Sequence, residues 1–154
     1  MSIYDPTPSP WSGRMLAIFR IAAGLMFITA GTTKLFNFPA NPMPGAPPIE
    51  LWSQMGIGSV LEIVGGTLIV LGLFTRPTAF ILAGEMAVAY FQFHQPQAFW
   101  PTANGGLGAV MYCFFYLYLI FAGAGDWSLD GVIHRSRARR RAPATAPALR
   151  TASA

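Results

Sequence analysis

Charge is what this chain has least of. Only 10% of its 154 residues are Asp, Glu, Lys or Arg, whereas soluble domains carry about a quarter. Hydrophobic residues make up 53%, and mean hydropathy is +0.45. That deficit points to lipid as the solvent. Cysteine is nearly missing too. A single thiol, Cys113, excludes an intrachain disulfide, a CxxC redox pair and a multi-cysteine metal site. Cys113 itself reads as a small packing residue. The two histidines, His94 and His134, lie far apart without ligand spacing, so no metal is expected. Phosphate loops, dinucleotide fingerprints and Ser-His-Asp arrangements are absent. Thiol or metal chemistry would need groups from another subunit, and no nucleic-acid partner is expected.

What is present is long apolar runs. They cover about Met15–Phe36, Ile57–Phe74, Pro77–Phe93 and Leu107–Ala124. Each is close to the ~20 residues that carry a helix across a ~30 Å hydrocarbon core. Lipid offers no partner for free backbone groups, so helices are the expected form. The first run carries Arg20 within it and no clean cleavage site after it, so it reads as a permanent span, not a signal peptide. The predicted fold class is all-α, an integral membrane four-helix bundle. Its parts are an N-terminal segment (1–13), a membrane domain (14–133) and a basic tail (134–154).

The connections differ in character. Asn37–Pro48 holds five prolines and cannot be regular helix. Thr75-Arg76-Pro77 is a short turn that makes spans two and three antiparallel neighbours. Gln95–Gly106 is rich in Pro, Gly and Asn, with Phe99-Trp100 suited to the interface. The tail gathers five arginines between Arg135 and Arg141; its composition predicts disorder. Arg14, Arg76 and the tail arginines fall on one side of a four-span layout. The positive-inside rule therefore places both termini in the cytoplasm, as expected in a bacterial inner membrane.

Ionisable residues at bilayer depth are costly and mark function by default. Arg20, Glu62 and Glu85 are such residues. Arg20, Gly24, Phe27, Gly31 and Lys34 share one helical face, as do Gly58, Glu62, Gly65, Ile69, Gly72 and Arg76. Thr78, Leu82, Glu85, Ala89 and Gln92 form a third face, and Gly106, Ala109, Cys113, Tyr116, Ile120 and Gly123 a fourth. Glycine on these faces allows close helix approach. Counting rise from the Arg14/Arg76 end puts Arg20 roughly 9 Å deep, Glu85 roughly 13 Å and Glu62 roughly 21 Å. The expectation is a buried Arg20–Glu85 pair, set either by register or by function. Glu62 has no basic residue at its own depth on this count; it joins a wider network or stays protonated, and it is the residue expected to carry function. Lys34 reads as an anchor that snorkels to the interface. His94 is read either as an interfacial residue or as a proton-handling group at the mouth of a site.

The order of motifs brings in a resemblance. Arg20 with Gly24-Leu25-Met26-Phe27 and Gly31-Thr32-Thr33-Lys34-Leu35 comes first, then Glu62-Ile63-Val64-Gly65-Gly66 and Leu71-Gly72-Leu73-Phe74-Thr75-Arg76. His94, Asn104-Gly105-Gly106 and Gly123-Ala124-Gly125-Asp126-Trp127-Ser128-Leu129-Asp130 come after them. From about Arg14 to Ile133 the chain resembles the DoxX family of small four-helix membrane proteins. The family often has a glutamate directly after the Gly-Gly before span four; here Leu107 stands there. The resemblance implies association with membrane redox systems, including quinone-linked sulfur-compound oxidation and thiol or oxidative-stress defence.

Three functions stay open at this point. The first is a quinone-associated subunit with no covalently bound cofactor, in which Glu62, Glu85 and His94 handle protons and Arg20, Lys34 and Asn104 hold ligand. Its electrons come from a protein partner. The second is a non-catalytic anchor or assembly subunit whose tail meets anionic lipid or a cytoplasmic partner. The third is a small-molecule carrier or lipid-modifying enzyme. The bilayer is a partner in each, and self-association is left open.

Overall fold

All four apolar runs are helical in a computed structural model that describes residues 9–40 and 49–141. α1 spans Ser12–Phe36, α2 Gln54–Leu71, α3 Thr75–Ala89 and α4 Leu107–Ala122. Ser53 starts α2 by accepting the Gly56 N–H at 3.0 Å, the usual way a serine satisfies an orphan donor. Gly72 stops it at φ 62°, with its N–H on Ile69 and the Leu73 N–H on Leu68. That pair of bonds is a Schellman ending, which needs the left-handed conformation glycine adopts freely. Only Leu73 and Phe74 then separate Gly72 from α3, so α2 and α3 are antiparallel neighbours.

α3 runs straight into a π-helical turn, Tyr90–His94, closed by Gln95 N–H to Tyr90 O at 2.8 Å. A π turn carries an extra residue per turn and rotates the residues beyond it about the helix axis. α3 and the π turn together make a continuous helical path from Thr75 to His94, long enough for a span where α3 alone is short.

The bundle is polar inside and apolar outside. Arg20 is fully buried and Glu62 nearly so, while Phe80, Phe114 and Phe121 are 69%, 67% and 79% exposed. Water would penalise that arrangement and hydrocarbon does not. The apolar core itself is small: Phe27, Ile69, Ala79, Leu82, Ala83, Met86, Tyr116 and Leu119 among the described residues. α1 and α2 touch through backbone. A Cβ at Gly24 would stand 2.8 Å from Gly66 O, and one at Gly31 2.5 Å from Ser59 O. These glycines are where the chain needs no side chain.

A fifth helix, α5, covers Leu129–Arg141, where composition predicts a disordered tail from Arg135. The physical reason is local. Asp130 in its first turn accepts the Phe74 and Thr75 N–H groups at 2.9 Å each, and its own N–H meets Gly72 O. That capping fixes the start of α5 beside the start of α3, and arginine propagates a nucleated helix well. Residues 142–154, with the rest of the tail, and 41–48, with most of the Pro-rich loop, lie outside the described residues.

Candidate functional site

Arg20 does not pair with Glu85. Its guanidinium donates to main-chain carbonyls: Nε to Ala124 (2.8 Å), Nη1 to Ile69 and to Val70 (2.7 Å), and Nη2 to Trp127 (3.1 Å). Ile69 and Val70 are in the last turn of α2, whose carbonyls have no i+4 N–H within the helix and carry the negative end of the helix dipole. Arg20 thus ties α1 to the end of α2 and to the link between α4 and α5. The long side chain runs towards the bundle end, away from Glu85. It is a fixture of the fold, with four of its five donors on main-chain carbonyls.

Depth explains the rest. Helical rise stops at Gly72, so the turn adds no depth between α2 and α3. Glu62 precedes Leu71 by nine residues and Glu85 follows Thr75 by ten, which puts them roughly 14 and 15 Å from the same end. Counting rise through the turn set Glu62 too far out and separated two carboxyl groups that are level. Glu62 also has a basic partner. Lys34 Nζ lies 2.6 Å from its Oε1. Gly24 against Gly66 and Gly31 against Ser59 fix the α1–α2 register, so Lys34 sits opposite about Gly56, roughly 9 Å outward of Glu62. Its stem reaches inward, where an interfacial anchor would reach out.

The centre that results has one ammonium and two carboxyl groups. The Glu62 side chain is 4% exposed and that of Lys34 35%, so the pair opens towards the His94 end. Glu85 lies within the field of both Glu62 and Lys34. Gly58 faces it: a Cβ there would come 3.2 Å from Glu85 Oε1. Tyr112 and Tyr116 of α4 complete the surroundings. Their rings stack with centroids 5.9 Å apart and 25° between planes. Both lie within range of Glu62, and Tyr116 also of Glu85. Glu62 Oε2, Glu85 Oε2 and the Tyr116 hydroxyl are buried without a hydrogen-bond partner among the described residues. Buried polar atoms are normally paired, so three orphans round one ion pair are notable.

His94 and Asn104 form a separate cluster. His94 Nδ1 meets Asn104 O at 3.2 Å, while the Asn104 side chain donates to Ala98 O and accepts the Gly106 N–H, both at 2.7 Å. This knot folds the π turn onto the start of α4. Leu107 is half exposed just beyond it. Glycine spacing on α2 is a weaker guide to open space than periodicity suggests. Gly65 is filled by Leu82, whose methyl would be 2.7 Å from a Cβ, and Gly72 by Ser128 and Arg20. Tyr116 sits on the predicted fourth face, but its orphaned hydroxyl has no signature in sequence.

A polytopic helical membrane protein with a buried lysine–glutamate centre is the class these features define. The sequence profile of the DoxX family matches residues 15–95, and the chain belongs to that family. An uncharacterized protein of Haemophilus influenzae is 45% identical over 118 residues, spanning 75% of this chain and 87% of its own length. An uncharacterized membrane protein of Mycobacterium tuberculosis, Rv3486, is 29% identical over 72% of this chain and 76% of its length. The inner membrane protein YphA of Escherichia coli is 31% identical over 75% and 88%. No solved structure matches the chain.

Proposed function

We propose that this protein is the membrane subunit of a quinone-linked redox system, with the Lys34–Glu62–Glu85 centre as the site for the quinone head-group. The observation that carries the reading is the imbalance at the centre: Glu62 takes the one ammonium at 2.6 Å, and a second carboxyl group, Glu85, lies within the field of that pair. At bilayer depth net charge is costly, and this set is neutral only when it holds one proton. An exchangeable proton beside unpartnered acceptors suits proton delivery.

A quinone is the group the family resemblance implies, and the residues fit it. Glu62 Oε2, Glu85 Oε2 and the Tyr116 hydroxyl are free to bond a ring oxygen. The partly buried ring of Tyr112, backed by the buried ring of Tyr116, offers a flat apolar neighbour. When bound, a quinone accepts two electrons and two protons. The electrons come from a partner redox protein, and Glu62 and Glu85 hold and pass the protons. Lys34 keeps Glu62 in place and opens to the His94 end. The one-sided arginines and the naming of YphA as an inner membrane protein support an inner-membrane setting with both termini cytoplasmic.

Purification from native membranes in mild detergent tests this. The expected result is bound quinone by mass spectrometry together with a redox protein. A well-folded protein carrying a stable partner and no quinone would reject the site and favour the second reading, a non-catalytic anchor. The exposed Arg135, Arg137, Arg139 and Arg140 of α5 are the feature that favours that alternative.

A further inference from the structure

A second site lies at the opposite end from the mouth of the Lys34 centre. Between the start of α1, the end of α2 and α5 is a cleft of about 650 Å³. Arg14 and Arg135 line it, from α1 and α5, with Val70 and Leu71 of α2 and Trp127 and Val132 beside them. Arg135 folds back along α5: its guanidinium nitrogens would lie 3.7 and 3.8 Å from a Cβ on Gly131. Asp126 also lines the cleft, but its carboxyl packs on Gly13 at the head of α1. Two guanidiniums against one carboxylate leave the cleft positive.

Its apolar side is open as well. Leu71, Trp127 and Val132 are all roughly half exposed or more. Leu71 ends a span, so this is the level where hydrocarbon gives way to headgroups. Trp11, at a similar level, carries Arg14 over its ring at 4.9 Å, and tryptophan favours that interface. The cleft therefore presents cations to one part of a ligand and aliphatic side chains to the next, at the depth where a phospholipid has its phosphate and its first acyl carbons.

We infer that this cleft is a binding site for an anionic phospholipid, with Arg14 and Arg135 on the headgroup phosphate and Val70, Leu71 and Val132 along the acyl chain. Charge complementarity and interfacial depth select a lipid over a soluble anion, which would have no use for the aliphatic wall. The inference does not depend on the quinone reading, since the cleft shares no residue with the Lys34 centre.

The test is native mass spectrometry of the full-length protein in detergent, titrated with phosphatidylglycerol or phosphatidylcholine. The wild type is expected to retain phosphatidylglycerol in a saturable one-to-one complex and to prefer it clearly. Each arginine near an anionic headgroup strengthens binding roughly fivefold, so R14Q with R135Q should weaken it about 25-fold. R139Q with R140Q on the same helix should keep the preference, and thermal melts in detergent should show both variants folded. Equal retention of the two lipids would overturn the site. So would equal loss in the two arginine pairs, which would mean diffuse charge only, or saturable competition by inorganic phosphate, which would mean a soluble-anion site. Should the R14Q/R135Q protein fail to fold, the single variants R14Q and R135Q are read instead: phosphatidylglycerol binding about fivefold weaker in a folded single variant supports the site, and wild-type binding in both overturns it.

Discussion

The guanidinium of Arg20 and the ammonium of Lys34 play different parts, though both are cations on one face of α1. Arg20 has four carbonyl acceptors and no exposure. Removing it deletes four hydrogen bonds to main-chain carbonyls and leaves the buried Ala124 O without this donor, so Arg20→Met is expected to cost about 3–5 kcal/mol. Adding Glu85→Met should add its own effect with no rescue, because the two do not touch. Lys34 and Glu62 should couple: in a double-mutant cycle to Met the interaction energy is expected near 1–2 kcal/mol, held down by the exposure of Lys34. Chemical denaturation in mixed micelles measures both; rescue of Arg20→Met by Glu85→Met would contradict the assignment. Sequence identified Arg20, Glu62 and Glu85 as ionisable residues within the helices, because charge at membrane depth is visible in a run of apolar letters. It mispaired them, because depth along a hairpin depends on where rise stops, and the Schellman ending at Gly72 is a matter of backbone conformation.

At the scale of elements, helix ends and helix crossings set the site. A Cβ added at Gly31 would stand 2.5 Å from Ser59 O and 3.1 Å from Glu62 Cβ, so the α1–α2 crossing and the position of Glu62 are one feature. Gly31→Ala is expected to destabilise by about 1–3 kcal/mol through overpacking and to loosen the Lys34–Glu62 pair. Gly84→Ala, whose Cβ would meet nothing within 4 Å, should be neutral or stabilising by up to about 1 kcal/mol. Equal melting temperatures for the two variants would contradict this packing. Asp130→Ala removes the cap on α3 and should cost about 1–2 kcal/mol, whereas truncation from Arg135 should cost under about 0.5 kcal/mol. The four apolar runs were legible to within a few residues. The π turn and α5 were not, since neither has a hydrophobic period: the first is a change of winding, and the second is helical because Asp130 starts it.

For the molecule as a whole, polarity is segregated along the bundle axis. One end carries Arg14, Arg76 and α5 with the lipid cleft; the other opens to Lys34, with the His94–Asn104 knot closing the loop before α4. Single cysteines at Gly45 and Ser153, in a Cys113→Ala background, are expected to label from opposite faces of sealed vesicles; labelling from the same face would contradict the layout. Between the ends, the centre of two carboxyl groups and one ammonium is the claim on which the functional reading rests. The most direct measurement is saturable binding of a short-chain quinone to the purified full-length protein, monitored by Tyr fluorescence quenching. Glu62→Gln and Glu85→Gln, checked for folding by thermal melt, should each weaken binding about tenfold or more, equivalent to roughly 1.4 kcal/mol, while Gly84→Ala leaves it unchanged. Quinone binding of equal strength in the well-folded Glu62→Gln, Glu85→Gln and wild-type proteins would contradict the site.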